Sequence, residues 1–198
     1  PRGHEETVLK QAEGIPQTKG RVMTGGCLVT TKKLENVRDI RTYQALLFDF
    51  YPALIPASDG KIIGKKILEK GLIPYIQERH AEKHPFLFRV DVRGTKDIAA
   101  KNQLAKVLSA YLEENSDGML INEPSFYEVE IRVILAGTKG SRVFLKLTSM
   151  PDKRFSYRKY ATSTSMQPSK AALMMYYMKP YFRPEANILD GFCGTAAL

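Results

Sequence analysis

The stretch YEVEIRVILAGTKGSRVFLKLTS (127–149) decides the fold class. Tyr127, Val129, Ile131, Val133 and Leu135 recur at every second position, the period of a strand with one buried face. Gly137-Thr138-Lys139-Gly140 supplies a turn, and Arg142 to Ser149 resumes a β-rich pattern, so the segment predicts a hairpin of 127–135 with 142–149. The turn lacks the GxxxxGK[ST] spacing of a phosphate loop and joins two antiparallel strands, which argues against nucleotide binding there.

Working outward, FLFRVDVRG (86–94) alternates Phe86, Phe88, Val90 and Val92 with Leu87, Arg89, Asp91 and Arg93 and predicts a strand whose even positions face a core. Ala100, Leu104, Leu108 and Leu112 step by four and predict an amphipathic helix over 97–114, with Lys101, Asn102 and Lys106 outward. Lys61 to His80 reads as helix interrupted by Gly64, Gly71 and Pro74, hence kinked or in two pieces. Further upstream, the spacing of Val37, Ile40, Tyr43, Leu46 and Leu47 predicts a helix from about Glu35 to Phe48, and YPALIPASDG then breaks, with a boundary near Ala57. GRVMTGGCLVTT (20–31) suits two short strands about Gly25-Gly26, preceded by a short helix from His4 to Glu13. On the other side of the hairpin, PDKRFSYRKYATSTSM is a polar, basic link. Pro168 opens a helix to about Lys179, and ANILD (186–190) reads as a buried strand running into GFCG. The run Met174-Met175-Tyr176-Tyr177-Met178 is expected to pack in a core.

With 198 residues and 43% hydrophobic content, the chain buries a real core in one to three units. No apolar run reaches membrane-spanning length and no secretory pattern opens the chain, so a cytoplasmic protein without a membrane partner is expected. Cys27 and Cys193, with no CxxC, exclude a disulfide scaffold and a cysteine-rich zinc site. His80 and His84 have i, i+4 spacing, but His4 is the only other histidine and Pro85 follows at once, so no metal is expected. Ser163 and Ser165 lack a His/Asp partnership, so nucleophilic catalysis is unsupported.

The net charge is +9, and it is concentrated. Residues 139–160 hold Lys139, Arg142, Lys146, Lys153, Arg154, Arg158 and Lys159 against Asp152 alone, two-thirds of the excess. Residues 107–131 carry six carboxylates and no Lys or Arg. A folded unit built from both is dipolar, with one face that attracts phosphate. The interleaved Tyr157 offers a stacking surface, and Arg93, Lys96 and Lys101 extend the candidate RNA-binding set.

The order strand, long helix, short strand, hairpin, basic link, proline-led helix and Asp-x-Phe-Cys-Gly resembles the THUMP-domain RNA methyltransferases. Arg2-Gly3-His4-Glu5-Glu6 and Gly25-Gly26 are similar to features of that family's first domain. Tyr157-Arg158-Lys159, Pro168 and Asp190-Gly191-Phe192-Cys193-Gly194-Thr195 are similar to its link and cofactor loop. The resemblance implies a multidomain α+β and α/β chain. Residues 1–57 are then a ferredoxin-like N-terminal domain lacking its first strand, 58–165 the THUMP domain and basic linker, and 166–198 the truncated start of a Rossmann-like methyltransferase domain. It implies S-adenosylmethionine as cofactor, contacted by Asp190, Phe192 and Gly194. It also implies structured tRNA or rRNA as partner, methylated on a guanine exocyclic amine. Gly191 and Ala196 stand where the family has proline and glycine, which alters the cofactor turn. The Asn/Asp-Pro-Pro-Tyr/Phe loop of the family is absent, so catalytic residues are expected downstream and this chain alone is expected to be inactive. A stand-alone RNA-binding adaptor is the alternative. A thiolation enzyme is disfavoured because no Ser-Gly-Gly-x-Asp-Ser loop occurs.

Overall fold

The computed structural model describes residues 3–23, 25–80, 85–160, 162, 165–185, 187 and 189, with Thr138 described by its backbone alone. The chain gathers into two compact units, one of residues 1–46 with 152–198 and one of residues 47–151.

In the first unit, helix α1 (Glu5–Glu13) carries Glu5 and Glu6 in its first turn and Lys10 in its last, charges that suit the helix dipole. It buries Val8 and Ala12 against an antiparallel hairpin of β1 (Thr18–Met23) and β2 (Gly26–Thr31). Of the four strands in a ferredoxin-like βαββαβ sheet, the described residues of this unit form these two. The expected helix over 35–48 is only the short α2 (Leu34–Arg38). Its continuation is forestalled by other partners. Tyr43 Oη donates to the Arg38 carbonyl at 3.2 Å, and the carbonyls of Ile40 and Tyr43 accept from the Arg154 guanidinium at 2.7 and 3.0 Å.

In the second unit, β3 (Phe48–Ile55) is followed by α3 (Gly60–Glu69), whose first amides, Lys61 and Ile62, donate to the Asp59 carboxylate. The expected interruption falls at Gly71, whose φ of +88° only glycine adopts freely, and α4 (Leu72–Gln77) restarts from it. Then come β4 (Phe86–Arg93), α5 (Ile98–Glu114), the three-residue β5 (Leu120–Asn122), β6 (Val129–Leu135) and β7 (Ser141–Leu147). The sheet order is β3-β7-β6-β4-β5, with β4 parallel to both neighbours and β7 antiparallel to β6 and β3. Because β3 pairs with β7, the unit begins at Leu47 rather than near Ala57. Alternation is as the sequence predicts: Phe86, Phe88 and Val92 of β4 and Val129, Ile131 and Val133 of β6 are fully buried. They pack with Ile63 and Ile67 of α3, Ile76 of α4 and Leu104, Leu108 and Leu112 of α5. The helices therefore cover one face of the sheet.

The first unit resumes with turns over 152–160 and α6 (Pro168–Met178), which starts on proline as expected. Ala171 and Leu173 are buried, but Met174, Tyr176, Tyr177 and Met178 are exposed, contrary to the core role expected for that run. Tyr177 Oη instead meets Thr7 Oγ1 of α1 at 2.6 Å and His4 Nδ1 at 3.3 Å. Of the buried strand expected at 186–190, only Asn187 and Leu189 are described; neither is in a strand, and Leu189 is 94% exposed, contrary to the buried position expected for it. No helix among the described residues is long and apolar enough to cross a membrane.

Candidate nucleic-acid interface

The sheet face away from the helices carries charge where a core would carry methyl groups. Glu130 of β6 is fully buried and accepts from Arg89 of β4 through Nε at 3.1 Å and Nη2 at 2.5 Å, and from Arg132 through Nη2. Arg132 Nε and Arg93 Nε both meet Asp91 Oδ2, at 3.0 and 2.9 Å. The result is a continuous ladder, Arg89–Glu130–Arg132–Asp91–Arg93, of three cations and two carboxylates. Burial pulls the Arg89 pKa down, but the hydrogen bond and charge of Glu130, with Tyr127 and Asp91, outweigh it and the net shift is upward. The guanidinium also lies over the Tyr127 ring, 3.9 Å from its centroid. Charges at alternating positions, Arg89, Asp91 and Arg93 on one strand and Glu130 and Arg132 on the next, were the sequence signal for this ladder; only their cross-strand register was missing.

The ladder ends among exposed cations. Arg93 pairs in register with Ile134, and Gly94 lies against Leu135, so the residues after β4 and the 3-10 turn Gly137–Lys139 after β6 share one end of the sheet. Arg93, Lys96 and Lys139 are exposed there and Lys101 is half-buried in the first turn of α5. The N-terminus of this 17-residue helix, capped by Asp97, opens at the same end. Glu113, Glu114 and Asp117, at and beyond the C-terminus of α5, and Glu128, before β6, lie toward the opposite end.

Two arginines of the candidate set are committed internally. Arg142 bonds Asp49 Oδ2 at 3.0 Å and the Pro52 carbonyl at 3.1 Å. Arg154, with only 5% of its side chain exposed, bonds Asp152 twice, at 2.8 and 2.6 Å, in addition to the two carbonyls of 40–43. Lys146 stands directly opposite Glu130 in the sheet register. In the first unit, Lys153, Tyr157 and Lys159 are exposed, and the Arg41 guanidinium lies 5.3 Å from the Tyr157 centroid. Arg158 is half-buried, and its Nε and Nη2 have no hydrogen-bond partner among the described residues. A desolvated guanidinium without an acceptor is costly, which favours an anion beside it. The basic run 139–160 is thus divided between the two units.

Asp190, Phe192 and Gly194 lie outside the described residues, as does His84. His80 packs on Phe86 with ring centroids 5.2 Å apart. Among the described residues, no group of three or more His, Cys, Asp or Glu side chains is positioned to hold a metal.

No family model and no curated protein matches this sequence. Among solved structures, TrmN from Thermus thermophilus is similar with a TM-score of 0.56 and 16% identity, over 89% of this chain and 52% of that one. The chain has a THUMP-containing fold. Also similar are PH1313 from Pyrococcus horikoshii, with a TM-score of 0.47, 17% identity and coverage of 74% and 50%, and a 4-thiouridine synthetase in complex with RNA and ATP, with a TM-score of 0.43, 13% identity and coverage of 73% and 36%. The chain spans about half the length of TrmN and PH1313. At these identities the likeness concerns the THUMP-containing fold alone.

Proposed function

We propose that this chain is the RNA-binding part of an S-adenosylmethionine-dependent RNA methyltransferase that acts on structured tRNA or rRNA, with a guanine exocyclic amine as the methyl acceptor. Residues 47–151 form the THUMP module in this reading, and 166–198 begin a Rossmann-like catalytic domain. The observation that carries RNA binding is the gathering of Arg93, Lys96, Lys101 and Lys139 at one end of a sheet whose opposite end is acidic. Such an arrangement orients a polyanion as well as attracting it. In the first unit, Lys153, Arg158 and Lys159, with Tyr157 as a stacking surface, form a separate set of RNA contacts in this reading. Arg142, Arg154 and Lys146, held by carboxylates or facing one, position the chain.

The cofactor reading rests on the sequence Ile188 to Leu198. Asp190 supplies a carboxylate for the hydroxyl or amino groups of S-adenosylmethionine, while Phe192 and Gly194 shape a close approach. When bound, the cofactor supplies the methyl group. Gly191 and Ala196 instead favour the adaptor reading, an RNA-binding protein with a degenerate loop. The reading frame beyond Leu198 separates the two, since a downstream Asn-Pro-Pro-Tyr supports the methyltransferase and its absence the adaptor.

The RNA reading is tested by fluorescence anisotropy with a folded tRNA transcript and an unstructured RNA of equal length. The expected result is saturable binding that favours the folded RNA and weakens steeply with salt. No binding at 50 mM salt, or equal binding to both RNAs, refutes it.

A further inference from the structure

The hairpin of the first unit carries a second cationic surface. Between Glu13 and Glu35 the chain holds Lys19, Arg21, Lys32 and Lys33 and no carboxylate. The register pairs Lys19 with Thr30 and Arg21 with Leu28, so these four residues share one face of the ribbon. The other face belongs to α1: a Cβ on Gly20 would meet Leu9 at 2.6 Å, and the Thr18 and Thr31 hydroxyls bond each other at 2.7 Å on that side. Lys19 and Arg21 are exposed beside a shallow depression floored by Gly20, Leu28 and Thr30. Lys32 and Lys33 follow directly from β2, where the Lys33 amide donates to Thr31 Oγ1 at 2.9 Å and turns the chain. None of the four cations has an ion-pair partner among the described residues.

We infer that the outward face of β1–β2 is a phosphate-tracking surface for the backbone of an RNA helix, with Lys19, Arg21 and Lys32 as its phosphate-binding cations. This rests on the RNA-binding reading above and adds to it a second RNA-facing surface in the other unit. Same-face positions along a strand are about 6.8 Å apart, so Lys19 and Arg21 present two charges in a row, and the exposed Lys32 follows directly after the end of the neighbouring strand. The narrow major groove of an A-form helix does not admit a ribbon, so recognition is of phosphates and is independent of sequence. A thin hairpin backed by a single helix withstands this charge because the cations project into water, where repulsion among them is screened.

The test compares wild type with Lys19→Ala/Arg21→Ala/Lys32→Ala and with the control Lys65→Ala/Lys66→Ala/Lys70→Ala in α3. Each is titrated with a folded tRNA transcript and a plain RNA hairpin between 50 and 200 mM salt. Removing three cations that each neutralise a phosphate should reduce the slope of log affinity against log salt by about 2–2.7, equally for both RNAs, while the control keeps its slope. The Lys19→Arg/Lys32→Arg variant, which leaves the hairpin charge intact, should retain the wild-type slope and reports on folding through unchanged amide exchange at Thr18 and Thr31. If wild type binds no RNA, the proposed function itself fails. If wild type binds and the hairpin variant keeps its slope, the RNA reading stands and this surface is excluded. If hairpin and control variants lose slope equally, binding is a diffuse net-charge effect and the inference is likewise overturned.

Discussion

Replacing Arg154 by alanine is expected to cost about 3–5 kcal/mol of stability through the carbonyls and ring contact it leaves unmade, although the residue lies in a basic, solvent-facing link. Four donated hydrogen bonds at 2.6–3.0 Å and the Tyr43 ring, 3.8 Å from the guanidinium carbon, surround a side chain that is 5% exposed. Truncation orphans the carbonyls of Ile40 and Tyr43 at about 1–3 kcal/mol each. Loss of the cation–π interaction adds about 0.5–2 kcal/mol. Asp152 is about half exposed and rehydrates, so its share is small. Lysine keeps the charge but not the fork that reaches two carbonyls and a carboxylate together, and Arg154→Lys should recover at most half of the loss. Urea denaturation with a two-state fit measures both, and hydrogen exchange should place the new opening at residues 38–46. A loss below about 1 kcal/mol for Arg154→Ala, or unchanged exchange there, refutes the view that this arginine organises the link.

Glu130→Gln removes the buried charge that Arg89 and Arg132 share and should cost about 3–5 kcal/mol in urea denaturation, whereas the exposed Glu35→Gln should stay within about 0.5 kcal/mol. Gly94→Ala combines a φ of +91° with a Cβ that would collide with the Leu135 carbonyl oxygen. It should lower stability by more than about 3 kcal/mol, while Gly25→Ala, with φ of +79° and nothing within 4 Å, should cost only about 1–2 kcal/mol; equal losses by thermal melting contradict the packing described for β4. Burial raises the phenols of Tyr43 and Tyr75 above their usual 10.0, despite opposing charge from Arg154 and Arg79. The folded state thus favours the neutral phenols. This contribution is intact below pH 10 and lost as pH rises through the raised values, so Tyr43→Phe/Tyr75→Phe should flatten the alkaline fall in stability.

The readable parts of the chain were those in which local pattern and final environment agree. Phe86, Phe88 and Val92 alternate in sequence and in burial, the helix break sits at the glycine with positive φ, and Pro168 opens α6. β5 was expected only as a short strand without bounds between the long helix and the hairpin, because three residues carry no period. Its state depends on pairing with Phe86 to Phe88 and on the Glu113 carboxylate, which accepts from the Asn122 amide. The failed helix after Arg38 has a cause more than a hundred residues away, the guanidinium of Arg154. The same limit applies to the candidate interface. Counting charge found the basic run, but it did not distinguish Lys139, which is free in water, from Arg142, which is held by Asp49 from 93 positions upstream.

The central claim is that the clustered exposed cations of residues 47–151, and not net charge, hold RNA. Arg93→Ala/Lys96→Ala/Lys139→Ala removes three of them from the end of the sheet and leaves Glu130, Arg132 and the core in place. Titrated with a folded tRNA transcript from 50 to 200 mM salt, this variant should lose about 2–2.7 units of slope, while Lys65→Ala/Lys66→Ala/Lys70→Ala loses none. Equal slopes for the two variants, or an unchanged slope for the first, would contradict the account.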